Sequence, residues 1–105
     1  MRASDLQKNE TVATAAVMEA MKDPETLDYV QMCLSLFFSG MYGKMGPEDT
    51  ELNEEELSSG EGRIMARYEA QGKLREDVYI IAYFSQSNPG DLDYNNTTVL
   101  YVSEY

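Results

Sequence analysis

The chain has 105 residues, with 19 acidic residues against 8 lysines and arginines, a net charge of −11, no histidine, one cysteine and no tryptophan. Without histidine it holds no Ser-His-Asp triad and no imidazole metal ligand, and one cysteine forms neither an internal disulfide nor a zinc-thiolate cluster. The charge argues against direct nucleic-acid binding and against an anionic membrane surface, and the length predicts a single domain, residues 1–105.

The first 46 residues are predicted to contain two helices. Asn9 is the predicted N-cap for a helix from about Glu10 to Met21, and Asp23-Pro24-Glu25 is a start signal for a second helix that reaches about Gly40. The apolar stripe of the second helix is broadened by Cys33 and Leu36, and it comprises Leu27, Val30, Leu34, Phe37, Phe38 and Met41. We expect Cys33 to be a buried structural thiol.

A third, short helix is predicted after a loop that contains three glycines. Pro47 begins it and Ser58-Ser59-Gly60 ends it. Only Leu52 and Leu57 are large apolar residues in this segment. We therefore expect these two side chains to anchor the helix, and its docking to be weak.

The last 45 residues change from helical to alternating periodicity. Strands are predicted at Arg63–Glu69, Val78–Ser85 and Thr97–Ser103, separated by short connections that favour antiparallel neighbours. The sequence therefore predicts an α+β fold. Two or three N-terminal helices (residues 1–60) pack on a C-terminal three-stranded antiparallel β-meander (residues 61–105).

Most of the negative charge falls in one short segment. Residues 47–61 hold seven acids and no base, a net of −7, whereas residues 1–46 and residues 62–105 each hold six acids and four bases, a net of −2. Six of the seven acids belong to the third helix: Glu48, Asp49, Glu51, Glu54, Glu55 and Glu56. One interpretation is a solvated helix. The other is a partner-binding face that imitates nucleic-acid phosphates, because carboxylates three or four residues apart lie about 5–6 Å apart at Cβ.

Tyrosines form a second candidate surface on the predicted sheet. Tyr79 and Tyr83 share one face of the central strand, and Tyr101 and Tyr105 alternate along the last one. These rings either cover the second sheet face against solvent or form a partner-binding surface, since tyrosine is favoured at interfaces.

The remaining polar clusters predict no chemistry. The segment from Asp91 to Asn96 imitates the start of a calcium loop, but Val102 stands where a bidentate glutamate is needed. The acids Asp91 and Asp93 lie in an exposed loop that offers no burial for acid-base work. We therefore expect no metal, no cofactor and no enzymatic activity.

From Gly43 onward the sequence resembles a family of short acidic proteins of bacterial plasmids and conjugative elements, sometimes labelled restriction-modification subunits. The matching features are Gly43, Glu48-Asp49, Asn53, Leu57, Gly60, Arg63 with Tyr68, Gly72, Val78–Ile81, Thr97–Leu100 and Glu104-Tyr105. The chain departs from the pattern in a longer Lys73–Asp77 segment and a longer Asn88–Asn95 loop. The resemblance implies mobile DNA, where small acidic proteins often counter host defence.

These observations lead to two hypotheses. The first is a non-enzymatic counter-defence inhibitor, of the anti-CRISPR kind, whose acidic helix binds the basic DNA-handling surface of a host nuclease. The second is a small structural or regulatory protein of the mobile element that dimerises, or binds a protein partner, through its sheet face. Both predict a monomer or homodimer in the bacterial cytoplasm, since no signal peptide or membrane-spanning stretch is visible.

Overall fold

Helices dominate the first half of the chain and strands the second. The computed structural model describes all residues, Met1–Tyr105, and confirms the α+β class. In chain order the elements are a 3-10 helix (Ala3–Lys8), β1 (Glu10–Ala13), α1 (Ala15–Ala20), α2 (Pro24–Phe38), α3 (Pro47–Ser59), β2 (Glu61–Tyr68), β3 (Val78–Ser85), β4 (Asn96–Tyr101) and a closing 3-10 helix (Val102–Glu104). None of the helices is long and apolar enough to cross a membrane.

The sheet has four strands in the order β1-β4-β3-β2. The antiparallel pairs β2-β3 and β3-β4 form the predicted meander, with Arg63 opposite Tyr83 and Tyr79 opposite Leu100. The prediction of a three-stranded, wholly antiparallel sheet is wrong, because β1 adds a fourth strand parallel to β4, with Val12 opposite Thr98.

The predicted helix from Glu10 to Met21 is wrong in its first half. The β-branched pair Thr11-Val12 lies in β1, and the helix begins only after Thr14. The Thr14 side chain accepts a hydrogen bond from the Val17 N–H (3.4 Å), so Thr14 and not Asn9 is the N-cap. The Thr14 N–H also bonds to the Val99 carbonyl (3.0 Å), which ties the end of β1 to β4.

One hydrophobic cluster of 20 buried residues joins the helices to one face of the sheet. From α2 it takes Val30, Cys33 and Phe37, each at most 1% exposed, so the predicted burial of the thiol is confirmed. The sheet supplies alternate residues of its three long strands: Ile64, Ala66 and Tyr68, then Val78, Ile80, Ala82 and Phe84, then Val99 and Tyr101. We call this the core face and the opposite side the outer face.

The buried side of α2 is turned relative to the predicted stripe. Thr26 is fully buried, whereas Leu27 and Leu34 are only half-buried and Met41 is exposed. The Thr26 hydroxyl donates to the Asp23 carboxylate (2.7 Å) and accepts from the Lys73 N–H (2.9 Å), which fixes this side of the helix inward. The apolar stripe predicted for α2 therefore includes residues that the core does not bury.

Candidate functional site

The acidic helix α3 has well-defined ends. Gly46 precedes it in extended conformation, Pro47 occupies the first turn, and Glu48 and Asp49 lie where the helix dipole favours negative charge. At the other end Gly60 adopts a left-handed conformation (φ +80°), and its N–H bonds to the carbonyls of Glu56 and Leu57. The predicted bounds of this helix are confirmed.

A polar side chain and not Leu52 holds α3 to the sheet. Leu52 is 56% exposed, so its predicted role as an anchor is wrong, while Leu57 is buried in the core. Asn53 is buried, and its amide donates to the Met65 carbonyl (2.9 Å) and accepts from the Met65 N–H (3.1 Å). The amide therefore takes the place of a neighbouring strand at the edge of β2, whose backbone groups need partners.

With Asn53 and Leu57 facing inward, the six acids divide among three directions, because successive helical residues are about 100° apart. Glu48, Glu51 and Glu55 lie on the side opposite the two anchors, and all three are exposed. We call these three residues the acidic stripe. Their spacing of three and four residues aligns them in one row along the helix.

The other three acids lie on the flanks of α3. Asp49 and Glu56 face the hollow between α3 and the outer face of β2. Glu54 lies on the opposite flank, where its charge, together with burial as the larger cause, raises the pKa of Tyr42 to about 12. The six predicted site acids therefore lie on one helix, but only the three of the acidic stripe are aligned in a row.

The two predicted site tyrosines lie on the outer face of β3, as the alternation predicts, but they differ in access. Tyr83 is 42% exposed, whereas Tyr79 is half-buried under the ring of Tyr105, with centroids 5.5 Å apart in edge-to-face geometry. Tyr101, expected to alternate with Tyr105 on one strand, instead lies in the core. The open aromatic surface is thus narrower than predicted and centres on Tyr83.

The chain's own C-terminus covers Tyr79. The closing 3-10 helix reverses the backbone after Tyr101, and the Glu76 carboxylate holds it by accepting from the N–H (2.6 Å) and hydroxyl (2.9 Å) of Ser103. Tyr105 then reaches Arg63, whose guanidinium lies 5.4 Å from the ring centroid and hydrogen-bonds the Tyr105 hydroxyl. That hydrogen bond raises the pKa of Arg63.

Arg63 and Glu56 join the two predicted contact regions. Both residues line a hollow of about 190 Å³ beside α3, with Asp49, Leu52 and Asn53. Both also line a neighbouring hollow of about 360 Å³ that contains Tyr83, Asp93 and Tyr94. The acidic helix and Tyr83 therefore border one continuous surface, a juxtaposition that the sequence pattern did not predict.

Two further groups with altered pKa values, Asp77 and Cys33, lie away from this surface. Asp77 accepts from Lys44 (2.9 Å), from the Ala70 N–H (3.0 Å) and from Arg67 (2.9 Å), and these bonds lower the pKa of its carboxyl to about 2. Burial raises the pKa of the Cys33 thiol, which favours the protonated form. Asp77 thus ties the loop after α2 to the sheet.

In the loop that imitates a calcium site, oxygen atoms accept hydrogen bonds from within the protein. The Asn95 amide accepts from the Ser85 N–H (3.0 Å) and donates to the carbonyls of Asn88 (2.8 Å) and Asp91 (3.0 Å). No group of three or more His, Cys, Asp or Glu side chains is arranged to hold a metal ion.

Comparisons of the chain with protein-family models, with curated proteins and with solved structures gave no match.

Proposed function

We propose that the protein is a non-enzymatic inhibitor that binds a basic, DNA-handling surface of a host defence nuclease through α3. The observation that carries the proposal is the placement of Glu48, Glu51 and Glu55 in one exposed row on the helix that holds most of the excess charge. The resemblance to mobile-element proteins makes CRISPR effectors the first nucleases to test.

The charge density of α3 is suited to a groove that binds DNA. The six acids from Glu48 to Glu56 span about 12 Å of helix axis, at 1.5 Å per residue. That is roughly one charge per 2–2.5 Å, between one per 3.4 Å for a single DNA strand and one per 1.7 Å for the duplex. Because these acids lie on three sides of α3, a groove of lysines and arginines that encloses the helix meets this charge density, whereas a flat row of cations meets only the three acids of the acidic stripe.

The anchoring of α3 also supports a binding role. Since one amide and one leucine hold the helix, almost all of its acids stay outside the core and need not be desolvated on folding. Like charges four residues apart, such as Glu51 and Glu55, destabilise a helix by a few tenths of a kcal/mol. A partner's cations relieve this repulsion, and charge steering speeds the encounter.

Tyr83 extends the proposed contact beyond the acids. It borders the hollow that also contains Glu56 and Arg63, so a partner seated on α3 reaches this ring without leaving the surface. Tyrosine contributes apolar area together with one polar atom, which suits the edge of a charged interface. Tyr79 is covered by Tyr105 and makes a smaller contribution.

The test is inhibition of DNA cleavage by a panel of purified CRISPR effectors and restriction nucleases, at low and high salt. We expect inhibition that falls steeply as salt rises, and its loss when all six acids are changed to glutamine. Undiminished inhibition by the folded six-residue variant contradicts the proposal. A tight dimer through the sheet, with no salt-dependent binding to any nuclease, favours the structural or regulatory protein instead.

A further inference from the structure

An apolar groove lies beside the free edge of β1, at the opposite end of the sheet from α3. It has a volume of about 540 Å³, and eight of its ten lining residues are hydrophobic. Among them are Ala13 of β1, Met18 of α1 and Met21 directly after it, and Leu27 and Leu34 of α2. The half-buried leucines of α2 are therefore the floor of an open groove.

The edge of β1 beside this groove has unpaired backbone groups. The Thr14 N–H points to β4, where it bonds to Val99. Because residues of an edge strand direct their N–H and C=O alternately toward and away from the neighbouring strand, those of Thr11 and Ala13 point outward. No loop backbone bonds to them. The other edge of the sheet differs, since Asn53 and the Tyr42–Lys44 segment cover β2.

We propose that this edge binds an extended segment of a partner protein as a fifth strand, with apolar side chains in the groove and lysines or arginines on the opposite side. Backbone pairing with β1 supplies affinity and the groove selects every second side chain. The methionines Met18 and Met21 adapt to the shape of the inserted residue. The inference does not depend on the function proposed for α3.

Charge selects a basic segment as the occupant and disfavours a second copy of the chain. No charged side chain lines the groove itself, but residues 10–35, which supply all of its lining residues except Val99, hold five acids and one lysine, a net of −4. Glu10, which pairs with Asn96 of β4, lies on the same outer side of β1 as Val12, so the alternate side chains of an added strand approach it. Pairing two copies through β1 would instead bring two such acidic segments together.

The test uses a defined probe, a capped eight-residue peptide of alternating valine and lysine, and protein with carbon-13-labelled methionine methyl groups. We expect saturable shifts of the Met18 and Met21 signals, and none of Met45, which lies beside α3. A peptide with glutamate in place of lysine should not bind. Equal binding of the acidic peptide, or shifts confined to Met45, overturns the proposal.

Two variants separate strand addition from general attraction between charges. Thr11→Pro removes one outward N–H and leaves the bonds to β4 intact, because proline is tolerated where the N–H of an edge strand faces solvent. It should weaken peptide binding about fivefold, the loss expected for one hydrogen bond. The matched control Thr11→Val keeps the N–H and the β-branched shape, and should bind as the original chain does.

The same titration on the Glu48→Gln, Glu51→Gln, Glu55→Gln variant should leave peptide binding unchanged. Loss of binding there, with retention in Thr11→Pro, would show attraction to α3 and overturn the proposal. If Thr11→Pro fails to fold, Leu34→Gln in the groove and Met32→Gln on the exposed side of α2 replace the pair. Sedimentation measures whether the protein dimerises. A dimer that is lost in Thr11→Pro or in Leu34→Gln also overturns the proposal, because the groove is then occupied by a second copy of the chain.

Discussion

Helices α2 and α3 are similar in length and opposite in the way they are held. α2 buries five residues, including the two phenylalanines that form edge-to-face contacts with each other (5.2 Å). α3 buries only Asn53 and Leu57, and six of its other eleven residues are acidic. The contrast teaches that the net charge is carried by an element that contributes little to the core, so changes to that charge leave the fold nearly intact.

The largest expected effect comes from removing a buried aromatic ring of α2 from the core. Phe37 is fully buried, and its ring contacts Phe38 and Tyr42 in edge-to-face geometry. Phe37→Ala should lower the free energy of unfolding by about 3–5 kcal/mol, through lost burial and the cavity left behind. Urea unfolding measures the change. Met32→Ala, on the exposed side of the same helix, is the control and should cost under about 0.5 kcal/mol.

A smaller loss should follow from breaking the polar anchor of α3. Asn53→Asp keeps nearly the same shape but places a carboxylate against the Met65 carbonyl, which loses its donor. We expect a loss of about 1–3 kcal/mol in the free energy of unfolding, the cost of an unsatisfied buried group. Leu52→Ala should cost under about 0.5 kcal/mol, since that side chain is mostly exposed. The reverse order would mean that Leu52 is the anchor after all.

Acid should weaken the tie between the loop after α2 and the sheet. Because the pKa of the Asp77 carboxyl is about 2 when folded, below its ordinary value of 3.8, its stabilisation is present above about pH 4 and is lost as the pH falls toward 2. The loss should amount to about 1–2 kcal/mol, since a side chain that is 14% exposed is partly screened. Asp77→Asn should unfold with a flatter pH dependence over this range. An unchanged pH profile would contradict the assignment.

The smallest expected effect has the opposite sign. Glu51→Gln removes one member of the Glu51–Glu55 pair of like charges, so it should raise the stability of α3 by a few tenths of a kcal/mol. The same change should weaken nuclease inhibition. A thermal melt and a cleavage assay on one preparation measure both effects. A Glu51→Gln variant that is less stable, or that inhibits the nuclease more strongly, would contradict the proposal that this charge lowers stability and promotes binding.

Elements with local signals could be predicted from the sequence. Pro47 and Gly60 bound α3, and the alternation of Val78–Ser85 places Tyr79 and Tyr83 on one face, as observed. β1 could not be predicted in this way, because its partner is 86 residues away and four residues carry little periodicity. The pair Thr11-Val12, with Thr14 as a cap, was the signal available for it.

The sequence predicts which acidic residues form the candidate site, but it does not predict how they are held and arranged. The six acids lie on α3 as the sequence indicates, but Asn53 was overlooked as the anchor because a polar residue in an acidic helix carries no hydrophobic signal. Its position four residues before Leu57, on the same side of the helix, was the one available hint. The cover of Tyr79 depends on the reversal that Glu76 imposes on the C-terminus, a contact between distant residues.

The most direct measurement compares inhibition constants of two triple variants that remove the same charge. One is Glu48→Gln, Glu51→Gln, Glu55→Gln on the acidic stripe, and the other is Glu19→Gln, Asp28→Asn, Glu69→Gln at exposed positions elsewhere. We predict a loss of at least about tenfold for the stripe, or roughly 1.4 kcal/mol, and a change within about twofold for the control. Equal losses in the two variants would show that total charge, and not the stripe on α3, carries the binding.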